Sequence, residues 1–178
     1  WEALGTALGC PANAWMKEGQ RLLRSWQRWP RAYHNASHLQ ACLDHWQTVQ
    51  NELSGALEQP HAVALALWFH DAVYWPWSAH NEARSAQWAS RFLSGQPLPP
   101  GLVRTVHEHI MATCHNPGEL QGDATWVVDI DLAVLGQSDA VYRQFERNVR
   151  KEYFFVRWPR YMAGRSKVLQ GFLSRPRI

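Results

Sequence analysis

The sequence predicts an all-α chain folded as a single-domain helical bundle over residues 1–178. Three observations carry that reading. Apolar residues recur at helical spacing along nearly the whole chain. No segment alternates with period two and carries β-branched residues. The breaks between apolar runs fall at proline, glycine or capping side chains. Asn13 is placed to cap a helix from Ala14 to about Trp29, stopped by Pro30. The segment Arg31–Ser37 leads into a helix ending near Leu53. Pro60 suits a first helical position and opens an apolar helix to about Trp75, where Pro76 ends it. Asn81 is expected to cap a helix closed by Gly95, and Gln96–Gly101 is the clearest loop. A helix over about Leu102–Cys114 is broken by Asn116-Pro117-Gly118, and another runs from Ala124 to Leu135. Ser138 is expected to cap a long helix to about Trp158, which Pro159 kinks or splits before a last helix reaches Leu173.

With 178 residues and 20.5 kDa the chain can bury a core without disulfides. Its 46% hydrophobic and 19% charged residues exclude a disordered or fibrous protein. Three distant cysteines (Cys10, Cys42, Cys114) form no paired framework, so a reducing, cytoplasmic compartment is expected. No signal-peptide pattern is visible. No apolar run reaches the roughly 18 residues of a spanning helix, so no membrane partner is expected. The net charge of +3 is unevenly distributed. From Val141 onward ten basic residues face only Glu146 and Glu152, giving +8 against −5 for the first 140 residues. Arginines dominate there and suit phosphate oxygens, although a solvated basic face explains them as well. No nucleic-acid-binding motif accompanies them, so nucleic acid is not the expected partner.

Three stretches carry candidate chemistry. His70 and Asp71 fall inside an otherwise apolar helix, where an unpaired carboxylate is costly. An adjacent His and Asp can both reach one metal; a mutual hydrogen bond or a neighbouring arginine would explain them too. His34 and His38 lie four apart, so a helix start would align them. They can share a metal, or one can bind while the other handles a proton. Asp129 and Asp131 sit about 200° apart around a helix and cannot face one site. Asp131, flanked on its face by Val127, Val128, Val134 and Leu135, is the first choice as ligand and Asp129 the second. Mixed His and carboxylate donors suit Mn, Fe, Co, Ni or Zn better than Mg.

Taken in order, these elements resemble the HD superfamily of metal-dependent phosphohydrolases. The elements Arg-x-Tyr-His-Asn-x-x-His, Trp-Phe-His-Asp-x-Val-Tyr, Asn-Glu-x-x-Ser-Ala, Asp-x-Asp-Leu-x-x-Leu-Gly and Gly-Arg-x-x-x-Leu resemble its uncharacterised "predicted metal-dependent HD phosphohydrolase" branch, from Arg31 to the C-terminus. The resemblance implies a bundle of the HD-domain type, a divalent metal cofactor, and a small-molecule phosphate ester, nucleotide-like, as substrate. The first motif is also similar to that of cyclic-nucleotide phosphodiesterases, which would make His34 the general acid and His38 a ligand. His70, Asp71 and Asp131 would complete the metal set, with Asp71 also catalytic. Arg31, Arg150, Tyr153 and Arg165 fall on family-like positions and would bind the phosphate; Glu82 would support the site. A di-iron oxygenase of the same fold would need extra ligands, for which His80, His107, His109 and His115 are available. A non-catalytic nucleotide-binding module is the remaining alternative. Trp15, Trp26, Trp46, Trp68, Trp88 and Trp126 read as core; Trp75 and Trp77 could wall the site and stack on a base.

Overall fold

A helix with no polar face organises the molecule. In the computed structural model, which describes residues 1–53, 55–114 and 120–174, α4 (Pro60–Phe69) is buried at every position from Ala62 to Phe69. A helix that is apolar all round can only be a central one. Around it pack α3 (Ala36–Glu52), α5 (Asn81–Leu93), α6 (Leu102–Ala112) and α7 (Asp123–Asp131). A 3₁₀ turn (Leu132–Gly136) follows α7 and meets α8 (Asp139–Glu152); α9 (Trp158–Leu173) ends the chain. The N-terminal pair is α1 (Glu2–Ala7), which the sequence reading did not include, and α2 (Ala12–Trp26). The described residues contain no strand.

The two N-terminal helices are clasped through tryptophan. The Trp1 and Trp15 rings stack at 4.5 Å, and each indole N–H donates to the other's backbone carbonyl, at 2.7 and 2.9 Å. The stack works because each ring lies against a glycine. A Cβ on Gly5 would collide with Trp15, and one on Gly19 with Trp1. Trp15, Trp26 and Trp68 are core residues; Trp46 and Trp88 pack partly buried against the core, while Trp126 lies outside it, half-buried.

Several helix ends differ from the sequence expectation, and tertiary partners explain them. Asn13 lies inside α2, with Pro11 at the cap. The central helix stops at Phe69 rather than Trp75, so His70 and Asp71 follow its last turn instead of lying mid-helix. Arg31 donates to the carbonyls of Asp71 (2.8 Å) and Ala72 (3.2 Å), and the Ser85 hydroxyl accepts from the Val73 N–H. These bonds satisfy groups that a continuing helix would have used. At the other end, Asp123 of α7 accepts from the N–H groups of Glu58 (2.9 Å) and Gln59 (2.6 Å), pinning the segment that leads into α4. Asn81 does not cap α5. Its amide instead pairs with both backbone groups of Trp75, pinning the preceding loop. The segment expected as one helix to Leu135 ends at Asp131, and that expected to reach Trp158 ends at Glu152. Pro159 then sits in the first turn of α9, where its missing N–H is harmless.

Candidate metal centre

Four side chains from three segments converge beside the end of α4: His38, Cys42, His70 and Asp131. Each offers a donor atom, and these atoms lie within 4.8 Å of one another. His38 Nε2 is 3.3 Å from His70 Nε2 and 3.1 Å from Asp131 Oδ1; His70 Nε2 is 3.4 Å from the same oxygen. A tetrahedral ion bound about 2.1 Å from each donor needs donor–donor edges of about 3.4 Å, so the nitrogen and oxygen atoms fit one.

Each donor is placed by its local sequence. Asn35 precedes α3 and accepts from Ser37 N–H (2.9 Å) and His38 N–H (3.4 Å), fixing the first turn that carries His38. Cys42 lies one turn further on the same face, its Sγ 3.8 Å from the His38 ring nitrogens. His70 Nδ1 donates to the Leu67 carbonyl at 2.9 Å, which fixes the ring with Nε2 aimed at the cluster. Asp131 ends α7 facing the histidines, whereas Asp129 is exposed. Asp71 is buried, with Oδ2 3.6 Å from His70 Nε2, but it stands outside the four-residue group.

Charge and burial set the protonation preferences. Burial works against a charged His70, but Asp71 and Asp131 overcome it and push its pKa up to about 9. Burial also lowers the pKa of His38, only partly offset by Asp131. The Cys42 thiol is pushed well up by burial and then by the two aspartates. Two imidazoles converge on one carboxylate, and a divalent cation bound there would take the place of the proton that His70 favours.

His34 does not join this group. It precedes α3, and its Nδ1 is 2.6 Å from Glu152 Oε2. Glu152, wholly buried, also accepts from the N–H groups of Ala32 (2.7 Å), Tyr33 (2.7 Å) and His34 (3.0 Å) and from the Tyr74 hydroxyl (2.7 Å). Burial opposes its charge, yet hydrogen bonds and attraction from His34, with those from Tyr74 and Tyr33, bring its pKa down to about 2. The His34 ring stacks on Tyr74 at 4.2 Å. Burial opposes its protonation too, but Asp71 and Glu152 raise its pKa overall.

A cavity of about 510 Å³ opens beside the cluster, with His34, His70, Asp71 and Asp131 on its wall. Tyr153 and Arg165 line it further out, as do Glu82 and Arg160. Arg165 is bound to Glu146, with Nη2–Oε1 at 2.5 Å. Arg31 and Arg150 do not line it. Arg31 donates to three backbone carbonyls, and Arg150 donates to the Tyr153 carbonyl at 2.5 Å beneath Tyr161. Trp75 and Trp77 are also absent from the wall. A second cavity, about 560 Å³, is lined by His38, Cys42 and Asp131. Among the remaining histidines, His107 bonds the Ser90 hydroxyl at 3.1 Å, His80 is exposed before α5 and His109 is buried in α6. None belongs to the donor group, and His115 lies outside the described residues.

Sequence reasoning missed two residues of this region. Cys42 continues the four-residue spacing of His34 and His38, a signal that was present. Glu152 stands between Arg150 and Tyr153, both expected to bind phosphate, but nothing local marks it as an acceptor for residues about 120 positions away.

Fold and cluster together define an all-helical protein with a buried His/Cys/His/Asp group able to hold a metal ion. No family model, curated protein or solved structure matches the chain.

Proposed function

We propose that the chain is a metal-dependent phosphohydrolase of the HD type, acting on the phosphoester of a nucleotide-like small molecule. The observation that carries this reading is the pairing on one cavity wall. His70, Asp71 and Asp131 stand beside His34, whose protonated form is favoured by Glu152 and Asp71. His38, His70 and Asp131 would hold the ion, with Cys42 and Asp71 adjacent. Such an ion supplies a Lewis acid for a phosphoryl oxygen and brings the pKa of water toward about 7. Glu152 holds His34 Nδ1, which leaves Nε2 to deliver a proton to the leaving oxygen as the P–O ester bond breaks. Arg160 and Arg165 offset phosphate charge, and Tyr33, Tyr74 and Tyr153 offer faces for an aromatic group.

The test is phosphate release from a panel of nucleotides and sugar phosphates with each of Mn, Fe, Co, Ni, Zn and Mg, alongside elemental analysis. His70→Ala is expected to lose metal and turnover, and His34→Ala to keep metal and lose turnover. Full metal content in His70→Ala would sink the ligand set.

A further inference from the structure

Three loops end at one edge of the molecule: residues 27–35, 70–80 and 153–157. Each brings a large ring into solvent. Trp29 is 72% exposed, Trp77 58%, Phe154 56% and Phe155 45%; Trp158, at the start of α9, is 58% exposed. These rings are not scattered. Trp29 meets Phe154 at 5.8 Å, Phe154 meets Phe155 at 5.7 Å, and Phe155 meets Trp77 at 5.7 Å. Trp77 continues to Trp75 at 5.2 Å. A contiguous aromatic surface of this kind, left in water, marks an interaction site.

Charge selects among occupants. Arg28 stacks on Trp75 at 4.8 Å, Lys151 and Arg157 bracket the third loop in sequence, and Arg160 follows in α9; all four are exposed. None makes an ion pair among the described residues. Of the carboxylates near this surface, Glu146 is engaged by Arg165 and Glu152 by its buried donors, while Glu82 lines the adjoining cavity with Arg160. A symmetric dimer through this surface would set the cations against their own copies. Rings carried on three loops give no i, i+3, i+4 register and no strand edge for a peptide to read. Indoles and phenyl rings interspersed with arginine and lysine are instead the composition that settles at the headgroup level of an anionic bilayer.

We infer that this aromatic–cationic edge is an interfacial docking surface for anionic lipid. Among the described residues no helix is long and apolar enough to cross a membrane, and the inferred docking is to the surface of the bilayer. The sequence expectation of no membrane partner rested on the missing spanning run alone. Tyr153, Val156 and Arg160 also line the cavity beside the metal cluster, so docking turns the cavity mouth toward the lipid surface.

Co-sedimentation with large unilamellar vesicles tests this, comparing pure phosphatidylcholine with an equal mixture of phosphatidylcholine and phosphatidylglycerol. The wild-type chain is expected to sediment with the anionic vesicles at least tenfold more than with the neutral ones, and to be released by high salt. Trp77→Ser/Phe154→Ser/Phe155→Ser, at positions already in solvent, should lose at least tenfold in partitioning while keeping its circular dichroism and metal content. Lys151→Glu/Arg157→Glu should lose a similar factor with the rings intact. Equal sedimentation of wild type and both variants, no sedimentation of the wild type, or a concentration-dependent dimer abolished by the triple substitution would each overturn the assignment.

Discussion

Glu152→Gln isolates the contribution of one buried carboxylate. In the wild type its Oε1 accepts three consecutive backbone N–H groups, and its Oε2 accepts from Tyr74 and His34. Glutamine keeps the shape and one acceptor. Its amide nitrogen, however, presents hydrogens to His34 Nδ1, which can then accept only by giving up its proton. The fall of the Glu152 pKa from 4.5 to about 2 corresponds to on the order of 3 kcal/mol of stability at neutral pH. The sign follows from the direction. A depressed carboxylate pKa stabilises the fold above pH 4.5, and that stability drains away as pH falls toward 2. His34 has the opposite sign. Its raised pKa stabilises the fold below 6.5 and is lost as pH rises through the folded value. Urea unfolding followed by circular dichroism at pH 7, 4.5 and 3 measures the carboxylate effect, and the same measurement carried upward from pH 7 measures that of His34. The expected outcome is a loss of about 3 kcal/mol at pH 7, a flatter acid limb between pH 4.5 and 2, and a lower His34 midpoint by NMR. A variant within about 0.5 kcal/mol of wild type at pH 7, with a parallel pH profile, would refute the reasoning.

Other substitutions probe separate parts of the molecule. Gly19→Ala forces a methyl into the Trp1 indole and should cost about 1–3 kcal/mol in thermal or urea unfolding. Asp123→Ala leaves the Glu58 and Gln59 N–H groups without their acceptors, and a loss of about 1–3 kcal/mol is expected by the same measurements. Cys42→Ser should weaken zinc binding more than manganese binding, because sulfur favours the softer ion. Calorimetry in buffers of different ionisation enthalpy should also show fewer protons released on zinc uptake by the serine variant, since burial keeps the Cys42 thiol protonated before binding. Asp131→Asn should reduce metal content in elemental analysis, whereas Asp129→Asn, on an exposed position, should leave it unchanged.

What the sequence made legible followed from costs that are local. An apolar run around His70 required a buried helix, and α4 is one. A carboxylate flanked by valines and leucine required a partner, and Asp131 meets His38 and His70. What it hid depended on distant groups. The stops at Phe69 and Glu152 lie in runs whose periodicity would allow a longer helix. Arg31 and Ser85 end the first, and the second ends where Glu152 turns into the interior. Asn81 looked like a cap because caps are the commonest use of asparagine before a helix, yet the Trp75 backbone was the closer customer for its amide. Arg31 and Arg150 illustrate the same limit: an arginine's charge is visible in sequence, but the carbonyls that engage it are not.

The two halves of the cavity wall are closed by different long-range contacts, so each half can be followed separately as the chain folds. The cluster needs α7 to bring Asp131 to His38 across 93 positions of chain; the His34 arrangement needs α8 to bring Glu152 back across 118. Contacts this remote form late and reward the chain only once intervening segments are in place. On the proposed reading, metal uptake during refolding would report the arrival of α7, and the ionisation of His34 the arrival of α8. A chain with α7 docked and α8 undocked would keep the donor cluster and leave His34 without its carboxylate.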